Sequence, residues 1–220
     1  MNPTTVENTN FIQRAFMEGG PVMYVILVFG ILAVVLIVER FMKFSALAVD
    51  KKEFADQIFR MIVSGDIRQA ISYCDGKPTP LANTVKAGLV QAMNKRPDEE
   101  IQVAMDAAVM REMPRVEGMT SFLAVFGNVS VLAGLLGTIF GMISSFRAVA
   151  KADPATKAQL LSEGISHALN CTGFGLLVAI LSIVAYGFFQ HKIQKIENEM
   201  VETSMTLLNL VASNRDKIRD

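Results

Sequence analysis

Three stretches without a single Asp, Glu, Lys or Arg constrain this chain of 220 residues more than any other feature: 22–38, 118–146 and 164–191, of 17, 29 and 28 residues. A helix crosses the ~30 Å hydrocarbon core of a bilayer in roughly 20 residues, so each run can span one. Only a helix satisfies all its backbone polar groups within one such segment. The expected fold class is therefore all-α, an integral membrane protein with three transmembrane helices.

The first run resembles a signal peptide in one respect, because Ala46-x-Ala48 beyond it has the form of a cleavage site. It lacks a basic segment before it, and Glu39, Arg40 and Lys43 intervene before that site, so an uncleaved span is expected. Basic residues near the ends of the spans set orientation. Residues 1–20 contain only Arg14, whereas 40–60 contain Arg40, Lys43, Lys51, Lys52 and Arg60, which puts the N-terminus outside. The expected divisions are an outer segment 1–20, a first span 21–43 and an inner helical domain 44–117. A second span 118–147, a short outer loop 148–160, a third span 161–190 and an inner tail 191–220 complete the chain.

The inner domain reads as short helices punctuated by Gly65-Asp66, by Gly76 to Pro80 and by Arg96-Pro97. Asp66 suits an N-cap for a helix whose Ile67, Ala70, Ile71 and Cys74 share one face. A further helix is expected to begin near Pro80. After Pro97, the acidic turn Asp98-Glu99-Glu100 suits a helix start; that helix is expected to bend at Pro114 and continue into the second span. The tail keeps apolar residues at Ile193, Ile196, Met200, Met205, Leu208 and Val211, so the third span is expected to continue well past the membrane.

Signs of enzymatic chemistry are few. Neither histidine, His167 or His191, sits in a metal-binding pattern, and no phosphate or dinucleotide loop is present. Cys74 and Cys171 fall at different depths, which argues against a disulfide or a zinc site. Net charge is zero, giving no electrostatic basis for nucleic-acid binding. No enzyme, cofactor or metal is expected.

The informative residues are small. With a helix at 100° per residue and Thr138 as zero, Thr120, Gly127, Val131, Gly134, Gly141 and Ser145 lie within about 60° of it. On the third span, Ala168, Thr172, Gly175, Ala179 and Tyr186 share another face. Small residues let helices approach in lipid, and Ser or Thr can bond its own helix carbonyl, so packing alone accounts for both stripes. The alternative is that the threonines face a path for ions. A proton relay within a membrane generally needs a titratable group, yet the deep parts of all three spans lack Asp and Glu. If the chain conducts protons, a partner must bring the carboxylate. His167 is the one residue placed to titrate within the membrane; it falls on a different face from Thr172, and its plainer reading is a neutral histidine bonded to a neighbour.

The segments AVFGNVSVLAGLLGTIFGMISSF (124–146) and GISHALNCTGFGLLVAI (164–180) resemble the MotA/TolQ/ExbB proton channel family, most closely its ExbB and TolQ branch. The order of spans, the outer N-terminus and the inner insertion agree, and three spans argue against a MotA-type stator, which usually has four. The resemblance implies a ring-shaped homo-oligomer, five copies around two copies of an ExbD/TolR-like single-span partner with a membrane aspartate. It also implies an inner-membrane location, with a periplasmic N-terminus and a cytoplasmic C-terminus. Thr138 and Thr172 match the family threonines that line the ion path. Gly127, Gly134, Gly141, Ser145, Ala168, Gly175 and Ala179 then serve helix packing or partner contact, with His167 as a titrating candidate. The implied function is a motor stator driving a TonB/TolA-like or other periplasmic load, for transport, envelope maintenance or gliding. Two departures stand out. His167 replaces the glutamate of many relatives, leaving a sodium-driven version open, and Leu181 replaces a proline, so a straighter third span is expected. The rival reading is a membrane scaffold without conduction.

Overall fold

The computed structural model describes residues 20–46 and 51–215. Most of the expected N-terminal segment 1–20, residues 47–50 of the inner domain and residues 216–220 of the tail lie outside the described residues. Among the described residues there are seven helices and no strand: α1 (Gly20–Ala46), α2 (Lys51–Val63), α3 (Ile67–Asp75), α4 (Pro80–Met93), α5 (Asp98–Glu117), α6 (Ser121–Lys151) and α7 (Lys157–Ser213). Three helical segments are long and apolar enough to cross a membrane: Gly20–Ser45, the α5–α6 stretch Asp98–Lys151, and Lys157–Ser213.

The chain divides into two compact units. The first takes the described residues up to Glu39 together with Met119–Gly187; the second takes Arg40–Gly118 and the residues from Phe188 onwards.

In the first unit, α1, α6 and the leading part of α7 pack through few large side chains. The Phe29 and Phe126 rings meet with centroids 5.7 Å apart, and Gly30 lets Val178 come within 3.2 Å of the position a Cβ would take. Leu132, Leu169, Leu177 and Val184 all point outward and are well exposed. Apolar side chains on the outer surface of helices that are also apolar inside suit a lipid surround rather than water.

In the second unit the sequence signals set the helix ends. Asp66 caps α3 by accepting from the backbone N–H of Gln69 at 3.2 Å, Thr79 caps α4 by accepting from Ala82 N–H at 3.2 Å, and Pro97 stands at the N-cap of α5. Phe54, Ile58, Leu89, Ile101, Met105 and Met200 are buried together with Cys74. Burial pushes the Cys74 thiol up to about 12; neighbouring Asp75 adds to the shift and Lys86 opposes it. The buried Glu112 carboxylate accepts from Asn83 at 3.1 Å and from Arg115 at 3.0 Å, so the charge is not left unsatisfied. Arg215, just past the end of α7, pairs with Asp98 at the start of α5 and donates to the carbonyl of Arg96 at 3.1 Å.

One expectation needs correction, the path from α5 into α6. Pro114 sits inside α5, which runs on past it to Glu117 although the proline cannot donate to the Met110 carbonyl one turn before. The interruption comes instead at Gly118, with φ +47 and ψ −128, a backbone state suited to glycine. The Arg40 side chain lies against Gly118, where any Cβ would collide with its guanidinium. It donates to the C-terminal carbonyls of α5, Val116 at 3.5 Å and Glu117 at 3.3 Å. In the tail, α7 runs without a break through Leu181 to Ser213, and of the expected apolar positions past the membrane Ile193, Met200 and Val211 are buried, while Met205 is 60% exposed.

Candidate functional site on the α6–α7 seam

Antiparallel α6 and α7 meet along a seam of residues with little or no side chain. A Cβ on Gly127 would stand 3.4 Å from the Ala179 carbonyl oxygen and 3.4 Å from Ser182 Cβ; one on Gly134 would be 3.0 Å from the Cys171 carbonyl oxygen and 3.1 Å from Thr172 Cα. One on Gly175 would be 2.5 Å from the Ser130 carbonyl oxygen, and one on Gly141 3.0 Å from Ala168 Cβ. At the far end, Gly164 lacks the Cβ that would collide with Ser145, whose hydroxyl donates to the Gly141 carbonyl at 2.7 Å. Such close backbone approach is how helices gain dispersion contact in lipid, where there is no hydrophobic drive between them.

The two threonines occupy one edge of this seam and differ in role. Thr172 Oγ1 donates across to the Gly134 carbonyl at 3.1 Å, so it ties α7 to α6. Thr138 Oγ1 donates at 2.6 Å to Leu135 of its own helix, and Thr138 itself is half-buried. Thr138 follows Gly134 by one turn. The structure thus brings both hydroxyls to the same edge. His167 is elsewhere: it lines a pocket with Glu163, Ser144 and Cys171, and makes no side-chain hydrogen bond to another described residue, unlike the neighbour-bonded histidine expected.

The covered face of α6 is offset from Thr138. The buried residues of α6 include Gly127, Ser130, Gly134, Gly137 and Ser145, an arc centred roughly 55° from Thr138 at 100° per residue, while Val131 is exposed. Ser130 and Gly137 were missed on α6, and Cys171 and Ser182 on α7, all fully or nearly fully covered. The signal was present, since Gly127, Ser130, Gly134, Gly137 and Gly141 follow the alternating three-and-four spacing of a packed helix seam. Among the described residues, Ser130 Oγ is buried without a hydrogen-bond partner.

With this geometry in hand, the likeness to known proteins is informative. The model of the MotA/TolQ/ExbB proton channel family matches residues 77–202, more than half the chain and the whole of the seam. The Tol-Pal system protein TolQ of Pseudomonas aeruginosa is 40% identical over 91 residues, 41% of this chain and 39% of that protein. The putative biopolymer transport protein ExbB-like 3 of Synechocystis is 28% identical over 175 residues, 79% of this chain and 82% of that protein. The biopolymer transport protein ExbB of Pseudomonas putida is 27% identical over 174 residues, 76% of this chain but only 52% of its own length. The chain is a membrane protein belonging to the MotA/TolQ/ExbB proton channel family, on its ExbB/TolQ branch.

Proposed function

We propose that this chain is the ExbB/TolQ-like stator subunit of an inner-membrane motor. In this reading it forms a ring, with five copies as the family resemblance implies, around an ExbD/TolR-like single-span partner whose aspartate moves the ion. The carrying observation is a pairing: a close-packed helix seam with two threonine hydroxyls on one edge, in transmembrane runs that hold no Asp or Glu. Small residues on the α6 edge let another helix approach, and the hydroxyls of Thr138 and Thr172 order ion or water beside the partner's acid. Proton passage neutralises that acid and lowers its cost in apolar surroundings, so the inner helices can turn against the ring. The membrane potential supplies about 2.3 kcal/mol per charge per 100 mV. The force goes to a TonB/TolA-like or other periplasmic load.

The test is proton uptake into liposomes holding the chain with its co-expressed partner. Thr138→Val and Thr172→Val are expected to reduce flux to background in complexes that still assemble. Full flux in both variants would remove the ion-path assignment. Replacing sodium by choline separates a proton-driven from a sodium-driven motor.

One observation favours a second reading. Because Thr172 spends its hydroxyl proton on Gly134, the seam also suits a scaffold that only packs helices and holds a partner. Under that reading uncouplers leave the cellular function intact, and Thr172→Val matters only where complexes fall apart.

A further inference from the structure

Inside the second unit, two helices leave apolar rows uncovered. The side of α5 turned away from buried Ile101, Met105 and Val109 carries Val103, Ala107, Met110 and Pro114, all exposed, Met110 by 77%. On α7, beside the buried row of Met200, Ser204, Leu207 and Val211, stand Val201, Met205, Leu208 and Ala212, with Leu208 half-buried and the other three exposed. Both rows repeat at intervals of four, three and four residues, the spacing by which one helix lays a seam against another, and each is about 16 Å long. Asp106 and Arg111 border the first row, and Glu202 and Asn209 the second, all exposed. Charges at the border make lipid a poor cover for these faces, and in water an uncovered apolar face marks an interaction site.

The two rows fit each other. Arg215, past the end of α7, pairs with Asp98 at the start of α5, and a Cβ on Gly88 would stand 2.6 Å from Met105 Sδ and 3.0 Å from Leu207 Cδ2. These ties make α5 and α7 antiparallel and set their levels. Seven residues in from the Arg215–Asp98 pair lie Met105 and Leu208, one position from the side chains that meet at Gly88. On that count the centres of the two rows differ by two residues, about 3 Å. Copies of one membrane chain that share an orientation hold each residue at one depth, so the α5 row of one copy can meet the α7 row of the next without either sliding through the bilayer. Charge agrees with depth: thirteen residues in from the same pair lie Arg111 and Glu202. Neither has an opposite charge three or four positions away on its own helix, where intrahelical ion pairs form.

We propose that the α5 row of one copy docks against the α7 row of a second copy of this chain, with Arg111 beside Glu202. Two different faces meet, so the contact is head-to-tail and repeats from copy to copy until a ring closes. The inference deepens the proposed function by naming the inner face that holds its ring, and it rests on that reading for the ring but not for ion flow. The experiment is mild oxidation of membranes carrying the full chain with Ala107→Cys and Met205→Cys, nine and ten residues in from the Arg215–Asp98 pair; the native Cys74 and Cys171 are buried. A ladder of disulfide-linked species is expected for the double variant, none for either single variant, and a dimer only when the two single variants are co-expressed. Ala107→Cys with Gln194→Cys, about 18 Å apart in depth, should stay unlinked. Arg111→Glu should lower the yield about twofold to fivefold, the range of a surface ion pair, and Glu202→Arg in the same chain should restore it. Native mass spectrometry of the unoxidised variants separates this inference from the motor reading. An intact oligomer without the 107–205 link, or a link formed by either single variant, overturns this interface while the ring stands; a monomer overturns the ring as well.

Discussion

At the residue scale, the two threonines separate packing from conduction. Thr172→Val removes a bond between helices, and a hydrogen bond of this kind in a membrane contributes on average about 0.6 kcal/mol. Thr138→Val removes only a bond within its own helix. Thermal unfolding in detergent should therefore show a modest loss for Thr172→Val, rescue in Thr172→Ser, and almost none for Thr138→Val; equal losses would mean that the interhelical bond contributes nothing. Cys74 gives a pH prediction from the other unit. Its thiol titrates at about 12 in the folded chain against an ordinary value of 9.0. Below 9 it is protonated in both states; between the two values only the unfolded chain releases the proton, so folding stability falls as pH rises through that window. At pH 8 iodoacetamide should leave Cys74 unmodified until denaturant is added, and rapid alkylation of the folded chain would contradict its burial. The threonines themselves were legible in the sequence, because a hydroxyl in an apolar run stands out. Ser130 and Gly137 were not, because the projection was centred on Thr138, which lies toward one side of the buried arc.

At the element scale, the glycines of α6 and α7 divide into those that permit close approach and those that do not. Gly134→Ala and Gly175→Ala place a methyl against the backbone of the facing helix. Overpacking of this sort costs about 1–3 kcal/mol, and backbone cannot rotate aside as a side chain can. Gly173 has nothing within 4 Å of its Cβ position, so Gly173→Ala should be neutral or stabilising by up to about 1 kcal/mol from helix propensity alone. Similar midpoints for all three variants would show that the seam is not close-packed. Helix existence and caps were readable, since Asp66, Thr79-Pro80 and Pro97 act through local chemistry. The interruption between α5 and α6 was not. Pro114 is the stronger breaker in sequence, but the turn at Gly118 depends on Arg40, 78 positions earlier in the chain, which bonds the carbonyls that α5 leaves open. Gly118→Ala should cost about 1–3 kcal/mol for its backbone state alone, read as a lower unfolding midpoint. The tail was legible too: Ile193, Met200 and Val211 are buried as the apolar pattern implies, and Met205 alone of that set is exposed.

At the scale of the whole molecule, what matters most is an absence in the sequence given meaning by family membership. Three uncharged runs carry hydroxyls and two histidines, His167 and His191, but no Asp or Glu, and a family of proton channels requires a group that takes and releases the ion. We propose that this group is carried by a partner. Its direct measurement is proton flux into liposomes under an imposed potential. The chain would be reconstituted alone, with the single-span protein that co-purifies with it, and with that partner's membrane Asp replaced by Asn. Flux is predicted only for the complex with the intact aspartate. Flux through the chain alone, or flux that survives the replacement, would contradict the account.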